Sequence, residues 1–167
     1  MDRALALARA AAELGEIPVG AIVVGPDGSV IAEAHNLTRA RKDPTAHAEM
    51  LVIQQATQVL QSERLIGCDL YVTLEPCPMC AAAISFARLR RLYYGAADPK
   101  GGGVEHGARV FSHATCHHAP EIYPGLGESE ARAMRPALGA SSLSSPSSSA
   151  RRRAASFAIS SGAGIIG

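Results

Sequence analysis

Tryptophan is absent, and aromatic residues make up only 4% of the 167 residues. A surface that grips single-stranded nucleic acid by ring stacking, at about 1–3 kcal/mol per base, has few residues to draw on. No run approaches the roughly 18 consecutive apolar residues that a membrane-spanning helix requires. Charge of one sign is also lacking. Sixteen Lys and Arg oppose 15 Asp and Glu, for a formal net charge of +1. Three of those arginines, Arg151, Arg152 and Arg153, lie together near the C-terminus, and without them the remaining 13 basic and 15 acidic residues sum to −2. Global charge therefore does not predict a nucleic-acid binder, and only local patches could support one. Internal repeats are missing too. Cysteine is scarce, with four residues at 68, 77, 80 and 116. Two of them form a Cys-x-x-Cys pair, which in a reducing compartment points to metal or redox chemistry before a structural disulfide.

What is present suits one domain, since 47% of the chain is hydrophobic and the length allows a sizeable core. The start, MDRALALARAAAELGE, has apolar positions at helical spacing broken by Arg9 and Glu13. It reads as an amphipathic helix near 2–14 stopped by Gly15, not as a targeting segment, and a cytoplasmic setting is expected. IPVGAIVV and SVIAEAHN flank the turn signal GPDG and read as a hairpin. A helix is expected from Thr45 to Leu60, a strand over Asp69–Leu74, a helix from Cys77 to Ala87 and a strand over Arg91–Ala96. After the Gly-rich DPKGGG come a weak helix near 105–112, an extended piece at 120–123 and a helix over Glu128–Arg135. This order predicts an α/β sandwich on a mixed sheet whose later strands are parallel. From Pro136 the composition turns to Ser, Ala and Gly, so residues 1–136 read as the folded domain and 137–167 as a disordered tail. The arginines of that tail could touch RNA or membrane, but a solvated charge run explains them as well.

Two oddities stand out. DPTAHAEM puts His47 and Glu49 in the first turn of an apolar helix, where packing needs neither, and EPCPMC puts Cys77 and Cys80 at the start of another. Cysteines three apart on a helix share a face and can reach one zinc ion. A first turn also favours thiolate through its free N–H groups. Pro44 would start the turn before His47, and Thr45 would cap the helix that carries it. His47 and Glu49, about 200° apart around the helix axis, cannot both be ligands on one stripe. They can flank a metal that lies beyond the helix end. His47, Cys77 and Cys80 make three ligands, which leaves the fourth position of a catalytic zinc to water. The ion lowers the pKa of that water, and Glu49, unligated, can shuttle its proton. The implied chemistry is attack of zinc-bound hydroxide on an electrophilic carbon bearing an amine. The alternatives are a redox Cys-x-x-Cys pair and a structural zinc completed by Cys68 or Cys116. Cys68 reads as a core residue, and Cys116 with His117 and His118 as a loop.

His47-Ala48-Glu49 followed by Pro76-Cys77-Pro78-Met79-Cys80 is the signature of the zinc-dependent deaminases. EIPVGAIVV, His35-Asn36, DPTAHAE, RLIGCDLYVTLEPCPMC and GAADPKGG narrow the match. Over about residues 3–126 the chain closely resembles the bacterial tRNA-specific adenosine deaminases of the cytidine/deoxycytidylate deaminase superfamily. The resemblance implies a three-layer α/β/α sandwich with a five-stranded sheet, one zinc ion per subunit and a homodimer. It implies hydrolytic deamination of adenosine to inosine at the wobble position of a tRNA anticodon stem-loop. His47, Cys77 and Cys80 carry over as zinc ligands and Glu49 as proton shuttle. Asn36 carries over as a hydrogen-bonding partner of the target nucleoside, the Ala48 N–H as a contact to the base edge and Ile17 as pocket lining. Asp98 and Lys100 fall beside the RNA entrance. Arg39, Arg41 and Lys42 could hold phosphates, or form an ordinary surface charge run. The ending departs from the family, whose last helix carries aromatic and basic residues. Here residues 137–142 are ALGASS, without either. That departure bears on tRNA affinity and leaves the zinc chemistry intact. A deaminase of free guanine or cytidine shares the metal motif and is the second reading. A non-catalytic zinc module is the third, and it has no use for Glu49.

Overall fold

The computed structural model describes residues 1–134, so the expected tail and the last residue of the final helix lie outside the described residues. Five strands form one sheet in the order β2-β1-β3-β4-β5. They are β1 (Gly20–Val24), β2 (Val30–His35), β3 (Asp69–Leu74), β4 (Arg91–Ala96) and β5 (Glu121–Pro124). β1 runs antiparallel to both β2 and β3, whereas β3, β4 and β5 are parallel. The sheet is therefore mixed, as the sequence predicts. The first hairpin supplies the β1–β2 pair, the helix after Cys77 crosses from β3 to β4, and a connection with a single 3-10 turn leads from β4 to β5.

Helices α1 (Asp2–Glu13) and α5 (Glu128–Met134) pack together on one face. On the other lie α3 (Ala48–Leu60) and α4 (Pro78–Phe86), which completes the expected α/β/α sandwich. The expected stop after α1 is there. Gly15 adopts φ +74°, and the N–H groups of Gly15 and Glu16 return to the carbonyls of Ala12 and Ala11. α1 can lie directly on β1 because its inner face is mostly alanine and Gly20 has no side chain. A Cβ at Gly20 would stand 2.2 Å from the Ala4 carbonyl oxygen. The opposite face carries the larger core, where Leu70, Val72, Leu92 and Tyr94 of the sheet meet Val52, Ala56 and Ile84 of the helices. Each fully buried aliphatic side chain there contributes about 1.5–3 kcal/mol. Cys68 belongs to this core, as expected.

Three boundaries differ from the sequence reading, each for a local reason. Asp43 Oδ1 accepts from both the N–H and the hydroxyl of Thr45, at 2.8 and 2.7 Å, so Thr45 closes a turn instead of capping α3. The cap position falls to His47, which is extended at φ −74°, ψ 151°. Cys77 is likewise extended and caps α4, which begins at Pro78. The weak helix near 105–112 shrinks to a single 3-10 turn over Val110–Ser112, because Gly107 and Arg109 take left-handed φ of +53° and +46° within it. A four-residue helix not expected from the sequence, α2 (Thr38–Arg41), follows β2. Among the described residues no helix is long and apolar enough to cross a membrane.

Candidate active site

The capping positions of α3 and α4 face one another, and they bring the two sequence oddities together. His47 Nδ1 lies 3.7 Å from Cys77 Sγ and 3.6 Å from Cys80 Sγ, and the sulfurs are 3.6 Å apart. Four-coordinate zinc with about 2.3 Å bonds to sulfur and about 2.0–2.1 Å to nitrogen would set S···S near 3.8 Å and S···N near 3.6 Å. The three donors thus already stand in the triangle such an ion requires. Among the described residues, theirs is the one group of three or more His, Cys, Asp or Glu side chains with donor atoms that close. Cys116 is committed elsewhere, its sulfur lying 3.4 Å from Ser85 Oγ and 3.2 Å from the His118 carbonyl. With Cys68 in the core and Cys116 in that loop, neither is placed to complete a four-ligand structural site.

The electrostatics match the donor set. Cys77 is held down at about 4, first by the hydrogen bond from the Cys80 thiol, against the opposing effect of burial, and then by His47 and the Cys80 N–H. Cys80 is pushed the other way by its hydrogen bond to Cys77, by burial and by the Glu49 charge. Two sulfurs this close share one negative charge unless a cation lies between them, so binding a divalent ion releases a proton. His47 is raised, chiefly by its contact with Cys77, with burial opposing. Glu49 is buried and pushed up to about 7, mainly by burial, while its carboxyl meets the Cys80 thiol. A carboxyl with a pKa near neutrality, beside but outside the donor triangle, is suited to accept and return protons.

The remaining expected residues cluster by loop. Asn36, 3% exposed, follows β2, and its Oδ1 accepts the Ala48 N–H at 2.9 Å. It thereby satisfies the first free donor of α3, the role the sequence reading gave to Thr45. Ala48 and Asn36 therefore form one unit, and the Asn36 amide N–H₂ is the end left to offer a ligand. Asn36→Ala is expected to cost about 1–3 kcal/mol by leaving a buried donor unpaired. Asn36→Asp keeps an acceptor there and should recover most of that loss. Thermal melts of the two variants check this, and an alanine variant that melts like the parent would deny the cap any weight.

Ile17 is half exposed, in the loop between α1 and β1. Beside it is Glu16, a residue the sequence reading missed. Its buried carboxylate accepts from Ala40 N at 2.8 Å, Arg39 N at 3.0 Å and Thr38 Oγ1 at 3.1 Å, and so caps α2. Burial alone would raise its pKa, but these donors hold it below the usual carboxylate range. Arg39 also donates a side-chain N–H to the Gly15 carbonyl, which ties α2 and its basic residues to the Ile17 loop. Asp98 and Lys100 lie on one turn after β4, where Asp98 Oδ1 accepts the Lys100 N–H at 3.3 Å.

Glu75, one residue before Pro76-Cys77, was also missed. Its fully buried carboxylate takes the N–H groups of Asp98 (2.9 Å), Val104 (3.2 Å), Glu105 (2.9 Å) and His106 (3.0 Å) and meets His106 Nδ1 at 2.7 Å. A charged residue where strand β3 runs into the helix of the cysteines was the available signal. Nothing near it in sequence could pair with it, so its partners had to be distant.

The sequence profile of the MafB19-like deaminase family matches residues 1–126. A tRNA-specific adenosine deaminase of Agrobacterium fabrum is 64% identical over 130 residues, which span 78% of this chain and 85% of that protein. A solved structure from work on A-to-I editing by tRNA:A34 deaminases at the wobble position of transfer RNA has a TM-score of 0.78 at 62% identity, covering 80% of this chain and 96% of that one. Guanine deaminase from Bacillus subtilis has a TM-score of 0.56 at 43% identity, over 57% of this chain and 61% of its own.

Proposed function

Since the chain belongs to the deaminase family of the bacterial tRNA-specific adenosine deaminases, we propose that it converts adenosine to inosine at the wobble position of a tRNA anticodon. The observation that carries the reading is the His47–Cys77–Cys80 triangle with Glu49 buried at its side. His47 Nδ1 and the two sulfurs would hold a zinc ion, which when bound would supply Lewis acidity and lower the pKa of water at the site towards neutrality. Glu49 takes a proton from the water that attacks C6 of the adenine and delivers it to the ring nitrogen N1. It then passes a second proton to the departing amine, so adenosine and water leave as inosine and ammonia. Asn36, fixed by the Ala48 N–H, presents its amide to the nucleoside, and Ile17 lines the base pocket. Asp98 and Lys100 stand at the RNA entrance. Arg39, Arg41 and Lys42 supply phosphate contacts from a segment that Glu16 holds rigid. A homodimer in the cytoplasm completes the reading.

The likeness to guanine deaminase supports a second reading, a free base as substrate. An ACG-anticodon stem-loop offered beside free adenosine, guanine and cytidine separates the two. The first reading expects inosine in the stem-loop alone. Turnover of a free base or nucleoside with the stem-loop untouched would move the chain to the small-molecule branch.

A further inference from the structure

Glu75 holds more of the site than its place in the strand suggests. Its Oε1 gathers the three consecutive N–H groups of Val104, Glu105 and His106, and its Oε2 takes the Asp98 N–H and meets His106 Nδ1. The segment between those two anchor points is the one that packs on the metal-ligand helix. The Gly103 N–H donates to the Pro76 carbonyl at 2.8 Å. A Cβ at Gly103 would meet the Pro78 nitrogen at 2.5 Å, and one at Gly102 the Glu75 carboxyl carbon at the same distance. The glycines at 102 and 103 are therefore needed for close approach, and the carboxylate is what the loop closes upon. A second tie runs from the Tyr94 hydroxyl to the Glu105 carboxylate.

We propose that Glu75 is a positioning residue that fixes the Asp98–His106 segment as a wall beside the Cys77 end of the metal centre, and so governs substrate binding rather than the chemical step. The proposal rests on the deaminase reading above for the identity of the substrate, but the tether itself does not.

Glu75→Gln dissects the arrangement. A glutamine has one acceptor oxygen and one NH₂ group. Three N–H donors converge on Oε1, so the amide oxygen takes that side. The NH₂ then faces the Asp98 N–H, donor against donor, while His106 Nδ1 can turn acceptor in its other tautomer. The substitution thus removes the acceptor of the Asp98 N–H, while the Gly102 N–H still donates to the Asp98 carbonyl at 2.8 Å, and it spares the tie to residues 104–106.

The experiment uses zinc-loaded full-length parent and Glu75→Gln, with zinc content, residue-resolved amide hydrogen exchange and steady-state kinetics on the ACG stem-loop. Zinc per chain should be equal in both. Exchange at Asp98 should quicken by about 10²-fold or more while that of Glu105 changes little, the pattern of a local opening. KM should rise about tenfold, with kcat within about threefold, as expected for lost binding rather than lost transition-state contact. His106→Ala, at a partly exposed position, loses a single tie and should raise KM in the same direction, by about two- to threefold. Unchanged exchange at Asp98 would overturn the tether. Loss of zinc, or a fall in kcat at constant KM, would overturn the assignment to binding. If the parent leaves the stem-loop untouched, the functional reading fails, and the exchange arm alone still decides the tether.

Discussion

Glu49→Gln is expected to lower deamination by about 10³- to 10⁴-fold while zinc stays bound at the parent level. The substitution keeps the size and much of the polarity of a side chain that is 4% exposed, so the packing of α3 is spared. What it removes is a carboxyl poised at about 7 by burial and set against the Cys80 thiol, the one group there able to accept a proton and give it back. The donor triangle comes from His47, Cys77 and Cys80, and none of these changes. Single-turnover inosine formation together with the zinc content of the same sample checks both halves. Activity within tenfold of the parent would remove Glu49 from the path of the proton.

Cys80→Ser should abolish activity by a different route, the loss of the metal. The hydroxyl of serine stays protonated at neutral pH and is a poor ligand for a borderline-soft ion, so bound zinc should fall to below about a tenth per chain. Cys80 is fully buried at the start of α4, and its sulfur lies 3.6 Å from both other donor atoms, so no neighbouring side chain can take its place. Cys116→Ser is the matched control. Its sulfur is bonded to Ser85 and the His118 backbone, away from the triangle, and the variant should keep both zinc and turnover. Metal analysis and activity on the two variants decide the matter. A Cys80 variant with full zinc would contradict the ligand set.

Much of this was legible in the sequence because it was local. The GPDG turn between two apolar runs gives the hairpin of β1 and β2, and Gly15 ends α1 where its φ of +74° suits glycine. The donor triangle of His47, Cys77 and Cys80 was legible because chemistry restricts metal-binding side chains to few residue types at short spacings. Less of what depends on contacts distant in sequence could be read. Glu75 meets partners 23 to 31 positions away, among them the N–H groups of residues 104–106. Asn36 captures the start of α3 across 12 residues, while nearby Asp43 holds Thr45 in a turn. The parallel register of β3, β4 and β5 likewise lines up Tyr71, Tyr93 and Tyr123, whose rings stack at 4.4 and 4.7 Å, a row no single segment announces.

Zinc held at the His47–Cys77–Cys80 triangle is proposed here to serve the deamination of a wobble adenosine. The most direct test is position-resolved inosine formation in an ACG stem-loop by metal-depleted protein, before and after one equivalent of zinc is restored. No inosine is expected before restoration, and inosine at the wobble position alone after it. Deamination that persists undiminished without the metal, or inosine at other adenosines in equal measure, would contradict it.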